Sequence, residues 1–220
     1  MENILFIGNS FTFVNDLPGM MEALTDPAKL LYHYDSVTKG GAYLHQFADE
    51  GHELGIRVRE KLAERKWDWV ILQDQSFNPA KDPGDCVKSA EALAKLTGNA
   101  KLLLYQTWAY EDGTEKLTGT GLSYEEMRLA LRDGYEKAAV AVGGRRIPVG
   151  DAFAEVYRAH PEIVLYTPDH YHPAPAGTYL AAMLFAEAIT GGFGGLKVPD
   201  GVNPANEAAL KAAVRLAIGG

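Results

Sequence analysis

Short apolar runs at residues 3–7, 31–38, 69–72, 102–105 and 147–149 alternate with stretches of helical period along almost the whole chain. Runs this short, rich in β-branched residues and bounded by Gly, Asn or polar clusters, read as buried strands. Between the first two, Asp16 precedes Leu17, Met20, Met21 and Leu24 at helical spacing, and between the next two Leu54, Val58 and Leu62 recur every four residues. Asp82-Pro83 supplies a cap and a first-turn proline, and Ser123 with Glu126 a capping box. Asp151 opens another helix after the fifth run, and two more follow at 174–189 and, behind the cap Asn203, at 204–218. Parallel strands need crossovers long enough to hold a helix, so this alternation predicts a doubly wound α/β fold with a five-stranded parallel sheet. No repeat or linker divides the pattern, and residues 1–220 are expected to form a single domain. The polar, Gly-rich stretch 111–122 is expected to be an exposed, mobile loop.

Composition narrows the functional classes. With 21 basic and 29 acidic residues the formal net charge is −8, which speaks against a nucleic-acid or anionic-membrane binder, since both need a concentrated positive field. One cysteine, Cys86, excludes an internal disulfide and a Cys-rich zinc site. Its predicted helix-start setting lacks a basic neighbour, so an idle thiol is expected rather than a nucleophile. No apolar run approaches membrane-spanning length. The amino terminus lacks the basic start and small-residue cleavage site of a signal peptide. A cytoplasmic protein is therefore expected as the sequence stands, and a secreted or periplasmic one if a leader has been removed.

In sheets of this kind ligands bind beyond the carboxyl ends of the strands. That rule selects Gly8-Asn9-Ser10 after the first strand, Gly40-Gly41 after the second, Gln73-Asp74-Gln75 after the third and Thr107-Trp108 after the fourth. Glycines and amides there suit the binding of developing negative charge. Near the carboxyl end, Asp169 and His172 are three apart, close enough for the carboxylate to hold imidazole Nδ1–H and leave Nε2 as a base. A serine at a strand end with such a pair elsewhere is the arrangement nucleophilic acyl transfer requires.

These blocks resemble those of the SGNH (GDSL-type) hydrolases, esterases and lipases with a flavodoxin-like three-layer α/β/α sandwich. The resemblance spans residues 3 to about 189. It implies Ser10 as nucleophile, and Asp169 and His172, within Asp169-His170-Tyr171-His172-Pro173, as the rest of a triad. It implies an oxyanion hole from the backbone N–H of Ser10 and of Gly41 or Gly40. The third block departs from the family's Gly-x-Asn: Gln75 falls at the Asn position and is favoured as the amide donor, with Gln73 as its rival.

The implied function is a serine esterase acting through an acyl-enzyme on a small polar ester, such as an acetylated carbohydrate. No cofactor, metal or nucleic-acid partner is expected, nor integral membrane association. The competing readings are a flavodoxin-like binding module, disfavoured by the absence of a Gly-x-Gly-x-x-Gly loop, and a catalytically silent interaction protein on the same fold. His170, His172 and Asp169 as metal ligands form a further alternative without a supporting third element. Trp108, Tyr43 and Asn9 are candidate substrate contacts, with Trp108 equally readable as a core anchor.

Overall fold

The computed structural model describes residues 2–24, 32–193 and 198–219; Leu31, placed in the second strand from sequence, lies outside them. The chain runs β1 (Glu2–Gly8), α1 (Ser10–Phe13), α2 (Leu17–Leu24), β2 (Tyr32–Thr38), α3 (Leu44–Ala48), α4 (Glu53–Ala63) and β3 (Trp69–Leu72). It continues through α5 (Asn78–Lys81), α6 (Pro83–Ala94), β4 (Lys101–Tyr105), α7 (Glu115–Thr118) and α8 (Tyr124–Ala141). β5 (Arg145–Ile147), α9 (Val149–Ala159), α10 (Pro175–Thr190) and α11 (Glu207–Gly219) complete it.

All strand pairings are parallel, in the order β2-β1-β3-β4-β5. This is a three-layer α/β/α sandwich with flavodoxin-like strand order. The two-residue period of the strands divides the core. Ile4 and Phe6 of β1, Ile71 of β3 and Leu103 of β4 face α2, α9, α10 and α11. Leu5, Ile7, Val70, Leu72 and Leu104 face α3, α4, α6 and α8. The strand order reverses between β1 and β3, so the crevice at their carboxyl ends is the expected ligand position.

Two expectations change. The fifth strand is Arg145–Ile147, not 147–149: at the sheet edge it carries two arginines, and the apolar Val149 belongs to the first turn of α9. Residues 111–122 are not wholly an exposed loop; Thr114 caps α7, and Leu117 is buried against Tyr110 and Met127. The short helices α3 and α5 were unread, because four or five residues are too few to display a period.

One close approach controls the segment after β3. A Cβ on Gly134 of α8 would lie 2.1 Å from the carbonyl oxygen of Pro79 in α5. Backbone cannot yield as a side chain can, so Gly134→Ala is expected to lower stability by about 1–3 kcal/mol. Chemical denaturation will measure this, and an unchanged midpoint would contradict the packing described.

Candidate active site

Ser10 is the first residue of α1, immediately beyond β1. Asn9 caps that helix, its side-chain oxygen accepting from Phe11 N–H at 3.1 Å. The Asn9 amide also donates to the carbonyls of Ala42 (3.1 Å) and Asp74 (3.3 Å), tying together the loops after β1, β2 and β3. Gln73 Oε1 accepts from Asn9 N–H (2.8 Å) and the Thr12 hydroxyl (3.0 Å), and Gln73 Nε2 donates to the Asp74 carbonyl. Gly8 makes this approach possible: a Cβ there would meet Thr12 Oγ1 at 2.5 Å and Gln73 Oε1 at 2.6 Å.

The segment from Thr167 to Pro173 is organised by Asp169. One carboxylate oxygen accepts from the Thr167 hydroxyl (2.7 Å) and from the backbone N–H groups of Tyr171 (3.2 Å) and His172 (3.0 Å). The other lies 2.6 Å from His172 Nδ1, and His172 Nε2 lies 2.7 Å from Ser10 Oγ. Burial pushes the Asp169 carboxyl up, yet its bonds to the His172 ring and N–H, the Thr167 hydroxyl and Tyr171 N–H outweigh that and hold it well below the usual carboxylate range. His170 between them adopts a left-handed φ of 68° and places Nδ1 2.7 Å from Glu111. The imidazole of His172 meets Phe11 edge-on at 5.6 Å and Tyr171 at 4.1 Å.

The turn after β2 closes with Ala42 N–H donating to the Lys39 carbonyl at 3.1 Å, and Gly41 takes φ 70°. That left-handed conformation is the one glycine adopts without penalty. Among the described residues no acceptor meets the backbone N–H of Ser10, Gly40 or Gly41. Gln75 Oε1 accepts from Phe77 N–H (2.9 Å) and Asn78 N–H (3.2 Å). Its Nε2 donates to Ser76 Oγ at 3.1 Å and also interacts with the Tyr110 hydroxyl.

Several sequence candidates stand elsewhere than expected. Gln73 is fully buried with both ends of its amide engaged, which removes it as an oxyanion donor. Asn9 is buried, and its side chain is spent on the three loops rather than on a ligand. Trp108 is fully buried, stacked between Phe11 at 4.4 Å and Phe153 at 4.1 Å, and is a core anchor rather than a platform. Its indole N–H nonetheless supports the site by donating to the Tyr171 carbonyl at 3.0 Å. Tyr43 remains exposed, stacked on His45 at 5.2 Å. His170 and His172 turn to different carboxylates, and no group of three His, Cys, Asp or Glu side chains converges among the described residues.

One organising residue went unread. Asp74 is buried and accepts from Leu44 N–H (2.7 Å), Gln75 N–H (2.7 Å) and Asn78 Nδ2 (2.8 Å), fastening the loop beyond Gly41 to the one that carries Gln75. Burial pushes its carboxyl up despite those three donors. Its only sequence signal was position within the polar run after β3.

No protein-family profile and no curated protein matches the chain. Solved structures do. A protein from Slackia heliotrinireducens assigned to the SGNH hydrolases is similar at 32% identity and TM-score 0.76, over 84% of this chain and 97% of that one. A DUF4886 family protein from Bacteroides uniformis aligns at 22% identity and TM-score 0.80, over 99% and 94% of the two chains. An acetylxylan esterase from Geobacillus stearothermophilus shares the fold at 18% identity and TM-score 0.61, over 86% and 94%. No helix among the described residues is long and apolar enough to cross a membrane.

Proposed function

The chain belongs to the SGNH hydrolase family, and on that premise we propose that it is a single-domain serine esterase that cleaves carboxylic esters through an acyl-enzyme. The observation that carries this reading is the continuous line from Asp169 through His172 to Ser10, with contacts of 2.6 and 2.7 Å. Asp169 holds the proton of His172 on Nδ1, so the Nε2 lone pair faces the Ser10 hydroxyl. His172 Nε2 takes that proton as Oγ bonds to the carbonyl carbon, and the C=O electron pair moves to oxygen. Collapse of this intermediate breaks the carbon–alcohol bond, and the departing oxygen takes the proton from Nε2. Water then gives a proton to Nε2 and attacks the acyl carbon. The Ser10 Oγ–acyl bond breaks, the proton returns to Oγ, and the carboxylic acid leaves.

The oxyanion formed in each half is bound by the N–H groups of Ser10 and Gly41, with Gly40 adjacent, and by the amide of Gln75. The open backbone N–H groups of Ser10, Gly40 and Gly41 support that assignment. Gln75→Glu separates the two roles of this side chain. It keeps an oxygen for Phe77 and Asn78 N–H but replaces the donor with negative charge. A drop in kcat of about 10²–10³ is expected, with the melting temperature little changed. An undiminished kcat would remove Gln75 from the oxyanion hole.

For the substrate, a small acylated sugar is the reading we favour. The acetylxylan esterase shares this fold, and the half-exposed ring of Phe13 beside Gly40, with the exposed Tyr43, offers flat apolar faces to a sugar ring. The experiment is hydrolysis of p-nitrophenyl acetate and acetylated oligosaccharides by the purified chain, before and after a fluorophosphonate. Turnover that the reagent stops supports the serine esterase; turnover it leaves untouched would sink it.

A further inference from the structure

The aromatic rings behind His172 continue into a groove that the reaction itself does not use. Tyr171, 4.1 Å from the His172 ring, meets Tyr110 edge-on at 5.8 Å. Tyr110 forms one wall of an open groove of about 710 Å³, together with Phe77, Lys81, Glu115, Lys116 and Leu122. The Tyr110 hydroxyl is 2.7 Å from Ser76 Oγ, the same oxygen that receives the Gln75 amide at 3.1 Å. The groove therefore lies beside the site, with Tyr171 between it and the base and Ser76 between Tyr110 and the amide donor.

The groove carries two lysines and one glutamate. Lys116 Nζ lies 4.1 Å from the centre of the Tyr171 ring and 5.3 Å from that of Tyr110. A single ring separates this ammonium from the catalytic imidazole. Lys61, Lys137 and Lys211 each pair with a carboxylate. Among the described residues neither Lys116 nor Lys81 has an anionic partner, although Glu115 stands in the same groove. On a chain of net charge −8, Lys81 and Lys116 against Glu115 leave this groove with an excess of one positive charge. The placement is also held. Thr114 caps α7, the neighbouring Leu117 is buried, and the two tyrosine faces orient the ammonium while leaving its N–H donors open.

We propose that this groove receives the alcohol portion of the ester, and that Lys116, assisted by Lys81, selects alcohols that carry an anion. A carboxylate, as on a uronic-acid sugar, and a phosphate monoester present the same recognisable charge. The inference rests on the esterase reading and adds a substrate class to it.

The test compares 4-acetoxybenzoate, 4-acetoxyphenyl phosphate and phenyl acetate, which share the acyl group and differ in the charge remote from it. The full-length chain is assayed beside Lys116→Met and Lys116→Arg. The ratio of kcat/KM for an anionic ester to that for phenyl acetate is expected to fall about fivefold in Lys116→Met, through KM, and to survive in Lys116→Arg. At about 0.5 M salt the wild-type ratio should shrink toward that of Lys116→Met. Whichever anion shows the larger loss is the one the groove fits. An unchanged ratio in Lys116→Met overturns the proposal while leaving ester hydrolysis intact. If the wild type hydrolyses none of the three, the esterase reading fails, and calorimetric binding of 4-hydroxybenzoate then decides the groove. A Kd about fivefold weaker in Lys116→Met supports the anion subsite, and equal values refute it.

Discussion

Ser10→Ala is expected to reduce ester hydrolysis by on the order of 10⁴–10⁶ while leaving the fold intact. The size follows from what is lost. Without Oγ, His172 has no hydroxyl to deprotonate, no acyl-enzyme can form, and only the oxyanion donors remain to assist attack by water. The fold should survive because the hydroxyl of Ser10 has one contact among the described residues, to His172 Nε2. The cap that organises α1 comes from Asn9 instead. Loss of a single partly exposed hydrogen bond costs about 0.5–1.5 kcal/mol, a small shift in melting temperature. Initial rates with p-nitrophenyl acetate check the first part, and mass spectrometry of a fluorophosphonate adduct on the Ser10 peptide checks the assignment. Equal rates for both proteins would dismantle the triad.

Asp169→Asn should cost about 10⁴ in kcat for a different reason. An asparagine can keep its oxygen toward the Thr167 hydroxyl and the backbone N–H groups of Tyr171 and His172, so the loop is retained. Its amide then donates to His172 Nδ1, the imidazole proton moves to Nε2, and no lone pair faces Ser10. The same substitution has a second, separable signature. In the folded chain the Asp169 carboxyl titrates well below the usual range, against about 3.9 unfolded. A depressed folded pKa means the ionised group contributes stability that is fully present above the unfolded value. That contribution is lost as pH falls toward the folded one. Melting curves at about pH 5.5 and pH 2.5 should therefore show any stability advantage of wild type over Asp169→Asn narrowing on acidification. A gap that widens at low pH would contradict the hydrogen-bond pattern around Asp169.

Much of the site was legible because its polar residues interrupt apolar runs at strand ends, where the sheet has no use for them. Ser10 stands directly after β1, and the Asp169–His172 spacing is local. The proposed amide donor was harder. Gln73 and Gln75 lie two apart after β3, and chemistry alone does not separate two glutamines; burial does, since Gln73 faces inward to Asn9 and Thr12. Trp108 illustrates the same limit. A strand-end tryptophan reads equally as platform or anchor until Phe11 and Phe153, distant in sequence, are seen to enclose it. Asp74 was passed over because a carboxylate that binds three N–H groups leaves no periodic trace.

By itself, then, the sequence determined the parallel α/β architecture and the identity of Ser10, Asp169 and His172 as candidates. Strand length, helical period and local spacing are short-range properties written along the chain. The edge strand was misplaced by two residues because charged residues at a sheet edge dilute the apolar signal. Only the tertiary structure decided which neighbour of each strand end lies open beside Ser10 and which is consumed in bracing it. That choice depends on hydrogen bonds between residues some 30 to 160 positions apart, whose partners become visible once the β1–β3 reversal brings the loops together. The groove that carries Lys116 belongs to the same category. Its cation is placed by two tyrosines from different loops, and the balance of Lys81, Lys116 and Glu115 around it is a property of the assembled surface, not of the segment that bears it.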